Sequence, residues 1–479
     1  MIEAVKSKII GELEKTVGSS FVSTNRADLY IYSYDLTPAE PNWPDMVVLP
    51  GSLEELKSVV RLANREKVPV IPYVAGGNVG GLTIPLEGGM IIDLKRMNRI
   101  EVNETDMYAV VEPGVTFGQL KSYLEKNHPT LRYTYAFSPP TTGVMTNALV
   151  QGLDNLSFRY GAASHWVSGL EALLATGEVV KIGTCAASNS WHSIAPLPET
   201  AGLFLGWQGA TGIITRMAVN LWPNPEHGTA ITYMCMDLDI AYEILQSIIR
   251  TRIPDDLIGT SFALNKVGAL AYSHNKMPMY PAVKRTPEEP EFVLTAELTG
   301  NTENELKAKT EAMDEAVQKR CKGGDYTGPD EVPSTTAAFP MQALGVLSSG
   351  GGLMWVGTYG PMSTWLETVK KGCEMQDKYD ITRSCYTRIM NEGHFAGLRW
   401  MLPYDKEDPD LVQRINNLCA EQLDMVIDMG YIPYKTPVWA VRKLEERVGP
   451  DWLKLHRKIK AMMDPNNIMN PGRWGMPGD

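Results

Sequence analysis

The stretch VPVIPYVAGGNVGGLTIPLEGGMIIDL, Val68–Leu94, decides which folds can contain it. A strand-like run leads into a loop, Ala75–Gly81, that holds four glycines in six positions: Gly76, Gly77, Gly80 and Gly81. Such a loop can present consecutive backbone N–H groups as a nest for a pyrophosphate. Glycine suits it because a Cβ would block positive φ angles and the close approach of phosphate oxygens. A dinucleotide fold of the strand–loop–helix kind needs a helix directly after the loop. Here Pro85 and the β-branched run after it lead into another strand, so a Rossmann fingerprint and NAD are not implied. Alone, the loop marks either a flexible turn or a site for a phosphate-bearing cofactor.

Outward from the loop, the chain is 479 residues long, beyond the ~250–300 residues at which one core stops growing, so two or more lobes are expected. With 44% hydrophobic and 21% charged residues the composition is that of a globular protein. A formal charge of −11, spread along the chain, opposes contact with phosphate backbones or anionic membranes, and nucleic acid is not an expected partner. Met1–Val17 reads as an amphipathic helix without the apolar core of a signal peptide, and no apolar run approaches ~18 residues, so a cytoplasmic protein without a membrane span is expected. Cys185, Cys235, Cys321, Cys373, Cys385 and Cys419 are scattered and form no CxxC pair, which argues against an internal iron–sulfur or zinc site. Electrons leaving singly would need a partner subunit to supply such a centre.

From Met46 to Trp222 short β-rich runs alternate with helical ones, the pattern of an α+β lobe. From Glu226 to Gly430 the rhythm changes. TAITYMCM, FVLTAEL, LMWVGTY and GLRWMLPY read as strands, and Ile240–Arg250, Glu303–Arg320, Thr364–Tyr379 and Pro409–Met429 as helices. Long strands with helices on one face predict a separate antiparallel cap. His274–Pro290 reads as an exposed loop or a partner contact. The turn-rich MMDPNNIMNPGRWG follows a helix at Asp451–Met463 and is expected to fold back onto the first lobe. The expected division is 1–225, 226–430 and a returning segment, 431–479.

The loop is followed by MIIDLKRMNRI, YAVVEPGVTFGQL, SPPTTGVMTNALVQG, RYGAASHWVSGLEALLATGEVVKIG, WQGATGIITRMAVNLWPNP and DPNNIMNPGRWG, in that order. This order resembles the flavoprotein family of vanillyl-alcohol oxidase, p-cresol methylhydroxylase and the FAD subunit of glycolate oxidase. The resemblance implies an α+β fold, with a two-lobed FAD-binding domain of the vanillyl-alcohol oxidase type and an antiparallel sheet-and-helix cap. It implies FAD held by Ala75, Gly76, Gly77, Asn78, Val79, Gly80 and Gly81, and by a second stretch with Pro139, Thr141, Thr142, Gly143 and Asn147. Arg159, Tyr160 and Gly161 match a third stretch, and Thr211, Gly212, Ile213 and Ile214 a fourth. Asn470 and Arg473 match the returning C-terminus. Family members that bond their flavin beside the loop use a His there. Asn78 stands in this loop instead, so FAD is expected to be non-covalent, with His394 and Tyr386 as the cap's candidates for attachment.

A flavin enzyme must hold a C–H bond over the ring and remove a proton from any substrate hydroxyl. The cap stretch CYTRIMNEGHFAGLRWMLPYD, Cys385–Asp405, offers Arg388, Asn391, Glu392, His394 and Arg399. His394 is a candidate general base with Glu392 orienting it, because imidazole titrates near neutrality. The bland alternative is a structural His between strands. The family's hydroxy-acid dehydrogenases carry a His- and Gly-rich metal segment in this region. This chain lacks the HxGDGNxH run, so no metal is expected. Tyr434 and Lys435 resemble the Tyr–Arg pair of the phenol-oxidising members; lysine can hold an anion as a point charge but without the bidentate fork. The alternative there is a turn with a solvated Lys435.

Three functions follow from the resemblance. The first is an FAD-dependent dehydrogenase of a small hydroxy acid such as lactate or glycolate, with Arg399 or Lys435 on the carboxylate and electrons passed to an iron–sulfur or other electron-transfer partner. The second is a phenol-type oxidoreductase acting on a para-substituted aromatic. The third is a flavin-bearing electron-transfer subunit of a larger complex.

Overall fold

The computed structural model describes residues 3–267, 282–333 and 351–474. Of the stretch His274–Pro290, residues 274–281 therefore lie outside the described residues. The N-terminal helix spans Glu3–Val17 and buries Ile9 and Leu13.

The first part contains two main sheets and a two-stranded pair, Leu131–Arg132 with Trp222–Pro223. In the smaller, Met46–Val48, Met90–Asp93 and Val70–Tyr73 run parallel, with Val22–Ser23 antiparallel on the outer edge. Val70–Tyr73 and Met90–Asp93 are the two strands on either side of the glycine loop, and no helix intervenes. Helix Leu53–Glu66 starts where the Ser52 side chain accepts from the Glu55 amide, and it turns Leu56, Val59, Val60 and Ala63 onto this sheet. The larger sheet is antiparallel, with five strands in the order Ile100–Asn103, Tyr108–Val111, Ile213–Asn220, Val167–Leu173, Val179–Ile182.

The second part is one antiparallel sheet of eight strands. Its centre is Asp256–Ser261, Cys385–Met390, Phe395–Asp405 and Gly351–Gly360, in that spatial order. Successive side chains on a strand point to opposite faces. Val356, Leu398, Trp400 and Ile389 thus face the helices Leu238–Thr251, Glu303–Arg320, Trp365–Lys378 and Pro409–Asp428 in the main apolar core. Tyr386, Met390 and Met401 alternate to the other face, in a smaller cluster with Leu153 and Ala162 of the first part.

Several contacts tie the parts together, two of them at their margins. Arg159 and Arg132 both ion-pair with Asp255, and Arg159 also donates to the Ile253 carbonyl at 2.9 Å. After helix Pro450–Met463, the C-terminal segment returns beside Val70, which donates to Ile468 O and accepts from Asn470 N at 2.7 and 2.8 Å.

Candidate active site

A cleft runs from the glycine loop to the cap sheet. Its near end is made of backbone. Ala75, Gly76, Gly77 and Asn78 form one wall; Thr142 and Gly143 form a second; Gly212, Ile213, Ile214 and Asn470 close it. Gly76 takes φ +63°, and a Cβ there would lie 2.2 Å from Tyr73 Oη. Only glycine fits that position. Asn78 closes the loop on itself: its Oδ1 accepts from the amides of Gly80 and Leu82, and its Nδ2 donates to Thr83 Oγ1. Gly81 donates to Asp35 Oδ2 at 2.7 Å. The second half of the loop is thus anchored to protein while the first half faces the cleft.

Two buried wall atoms, Ser138 Oγ and Gln208 Oε1, have no hydrogen-bond partner among the described residues. Buried polar atoms are nearly always satisfied, so a ligand bound in the cleft would complete these two. A long cleft with a glycine nest at one end and unsatisfied donors and acceptors along it fits FAD. When bound, FAD supplies the acceptor for the two electrons that leave a substrate as hydride.

Other residues implied by the resemblance stand back from the walls. Val79 packs on Leu353, and the Gly80 carbonyl accepts from Val438 N. Pro139 is half-buried and Thr141 exposed in the turn before the second wall. Thr211 Oγ1 donates to Leu203 O at 2.6 Å, behind the fourth stretch. Arg473 is buried under the loop, donating to Leu82 O and Ile84 O. Arg159 is committed to the tie with Asp255, Tyr160 stacks on Trp222 at 4.7 Å, and Gly161 turns with φ +81° against His165. Arg159 thus joins the two parts while Tyr160 and Gly161 pack within the first, and none of the three walls the cleft.

The far end is made of side chains from separate elements. Trp355, Arg399 and Lys435 line it. Pairing of the sheet sets Tyr386 opposite Arg399, and Arg399 opposite Gly357. Because Gly357 has no side chain, the Tyr434 ring lies over it: a Cβ at Gly357 would be 3.1 Å from that ring. The Arg399 Nε donates to Tyr434 Oη at 2.5 Å, and its guanidinium lies 5.0, 5.5 and 5.4 Å from the rings of Trp355, Tyr386 and Tyr434. Tyr359 stacks on Tyr434, with centroids 4.4 Å apart and planes at 11°, and donates to Gln151 O at 2.7 Å. Burial pushes the phenols of Tyr359, Tyr386 and Tyr434 up, so they remain protonated donors at neutral pH. The Tyr386 hydroxyl has no partner among the described residues.

Beside this box, Lys435 Nζ donates to Asn147 Oδ1 at 3.0 Å, and Asn147 Nδ2 donates to Asp154 Oδ1 at 2.7 Å. Burial holds the Asp154 carboxyl up at about 6. Arg388 is also buried and pairs with Asp256 at 2.8 Å. The residues that sequence reasoning missed are Asp154, Trp355 and Tyr359. Alternation in LMWVGTY sets Trp355 and Tyr359 on one face and was a usable signal.

The expected Glu392–His394 pair is not brought into the cleft. Both residues sit in the turn Asn391–His394 between two cap strands, where Asn391 and Glu392 take φ +47° and +54°. Glu392 ion-pairs with Arg252, and His394 is exposed. The polar cluster is the chemistry of a tight hairpin turn. Among the described residues, no group of three or more His, Cys, Asp or Glu side chains is placed to hold a metal ion. No helix among them is long and apolar enough to cross a membrane.

Fold and cleft together define an FAD-linked oxidoreductase. Residues 44–183 match the FAD binding domain family and residues 225–474 the C-terminal domain of FAD linked oxidases, so the chain belongs to the FAD-linked oxidase family. The glycolate oxidase subunit GlcD of Bacillus subtilis is 26% identical, over 96% of this chain and 95% of its own. The flavoprotein subunit of 4-cresol dehydrogenase (hydroxylating) from Pseudomonas putida is 25% identical, over 98% and 95%. The crystal structure of p-cresol methylhydroxylase with substrate bound has a TM-score of 0.83 at 22% identity, covering 99% of this chain and 98% of that one, and so shares its fold.

Proposed function

We propose that this protein oxidises a para-substituted phenol, an alkylphenol or a hydroxybenzyl alcohol, at the carbon attached to the ring. One observation carries the reading: the Arg399 guanidinium, hydrogen-bonded to the buried Tyr434 hydroxyl, is set among three aromatic rings at the cap end of the cleft. Flat apolar walls suit a substrate ring, and a buried cation with tyrosine hydroxyls suits its ionised oxygen. Removing that proton pushes electron density across the ring towards the para carbon, which favours departure of a hydride. The relative that acts on 4-cresol fits this reading. The glycolate oxidase relative fits the first expectation, in which the same cations hold a carboxylate, but a small hydroxy acid would leave the aromatic walls without a partner.

The residues that would hold FAD are those of the near end, Ala75–Asn78, Thr142, Gly143, Gly212–Ile214 and Asn470, without a covalent bond. Asn78 stands in the loop where a His would bond the flavin, and His394 is outside the cleft; Tyr386 is the remaining cap candidate. Acid precipitation should therefore leave the yellow colour in the supernatant; colour in the pellet that Tyr386→Phe abolishes would contradict this. A separate electron-transfer protein is the proposed acceptor, since all six cysteines are free, buried and scattered.

The substrate reading is tested by mixing the oxidised holoenzyme anaerobically with 4-ethylphenol, 4-hydroxybenzyl alcohol, lactate or glycolate. Rapid bleaching of the flavin by the phenols is expected. Bleaching by lactate or glycolate alone would return the site to the hydroxy acids, and bleaching by none would favour the electron-transfer subunit.

A further inference from the structure

Building on the phenol reading, we propose that Lys435 takes the proton from the substrate's phenolic hydroxyl, working as a neutral amine and not as a fixed cation. Lys435 lines the cleft, and its one side-chain hydrogen bond among the described residues is to an uncharged group, Asn147 Oδ1. Asn147 in turn bonds Asp154, the acid that acts on Lys435, whose Oδ2 is buried without a partner among the described residues. From the cap, the Arg399 guanidinium lies 5.4 Å from the Tyr434 ring, and Lys435 Nζ lies 6.0 Å from that ring. The charge of Arg399 disfavours a second cation at Lys435, and a guanidinium does not give up its proton. The lysine is therefore the one that does.

The backbone holds this arrangement at a cost. Lys435 takes φ +47°, a left-handed conformation that non-glycine residues adopt under constraint. Tyr434 N donates to Gly357 O at 3.2 Å and Gln208 Nε2 donates to Thr436 O at 2.8 Å, pinning the residues on both sides. The groups that set the charge of Lys435 are Arg399 from the cap strand and Asp154 from the first part, with Arg388 acting on Asp154 and Tyr434 as its own neighbour. Burial and then Arg399 push the amine down to about 7, against a weaker upward pull from Asp154. Both push the amine towards its neutral form.

In the step, the substrate O–H bond breaks and an N–H bond forms at Nζ. The electron pair stays on the phenolate oxygen, beside Arg399 and the Tyr434 hydroxyl, and nothing is oxidised or reduced. An arginine at this position could hold a phenolate but could not make one.

The holoenzyme is titrated at about pH 8.5, between the lysine's value of about 7 and the ~10 of an ordinary phenol, with 4-chlorophenol, which has no benzylic C–H to oxidise. Bound phenolate is read from its ultraviolet difference band and proton release from a pH indicator in weak buffer. The wild type should form the band with no proton released. Lys435→Arg should form it with about one proton released per ligand, because its charge is permanent. Lys435→Met should bind the probe without the band; the flavin spectrum of each variant reports that it is folded. Proton release by the wild type, or a band without release in either variant, would overturn the proposal. A wild type with no spectral response to the probe at any concentration would overturn the phenol reading, and the proton role with it.

Discussion

The two ends of the cleft are built on opposite plans. At the glycine-loop end, backbone from a few short runs makes the walls, and one side chain, Asn78, closes the loop. At the cap end, the wall is side chains from a helix, two strands and the tail: Asn147, Trp355, Arg399 and Lys435. A backbone site needs the right residues in short runs. A side-chain site needs strands paired in the right register, because a slip of one residue would turn Arg399 towards the helices. The first plan suits a cofactor shared across a family; the second lets the substrate change while the fold stays.

Several substitutions would break or sharpen this contrast. The largest effect is expected from Gly76→Val at the backbone end. Its side chain meets Tyr73 at a positive φ, so the purified protein should lose nearly all its flavin while its circular dichroism persists. Full retention of flavin absorbance would show that the loop does not carry the cofactor.

A smaller, pH-dependent effect is expected behind the loop, where the tail docks. His456 stacks on Trp207 at 3.7 Å with planes 2° apart, its buried Nε2 lacks a partner among the described residues, and burial pushes it down to about 4. Between about 4 and the ordinary ~6.5 the unfolded chain binds a proton that the folded chain refuses, so this contribution falls as pH falls through that window. The drop in Tm from about pH 7 to pH 5 should be smaller in His456→Phe than in the wild type. An equal drop would mean that His456 does not titrate against the fold.

The smallest effect is expected from Glu392→Gln and His394→Ala, in the exposed hairpin turn. Turnover should stay within about twofold and stability within ~0.5 kcal/mol, as for ordinary surface changes. A loss of turnover beyond tenfold would restore this pair to the chemistry.

These differences also explain what the sequence could reveal. The glycine run, the missing helix after it and the ordered blocks are local, so the cofactor end was legible. So were the cap's strands and helices: Glu303–Arg320 has its expected bounds, and Phe395–Asp405 contains the expected GLRWMLPY. What was not legible is pairing. Nothing near Arg399 announces that Gly357 lies opposite it and leaves room for the Tyr434 ring. Asp154 is visible as an acid in an apolar run, but its bond to Asn147 and its distance from water come only with the fold. Glu392 and His394 drew attention as polar residues between strands, and turn chemistry accounts for them equally well.

The central claim is that the two ends work separately, and Arg399→Met tests it most directly when FAD retention and 4-chlorophenol affinity are measured on the same preparation. Flavin content should be unchanged and phenol binding weakened by about 10- to 100-fold, the range for a lost hydrogen bond to a charged group. Loss of flavin along with the phenol, or phenol binding that stays intact, would contradict it.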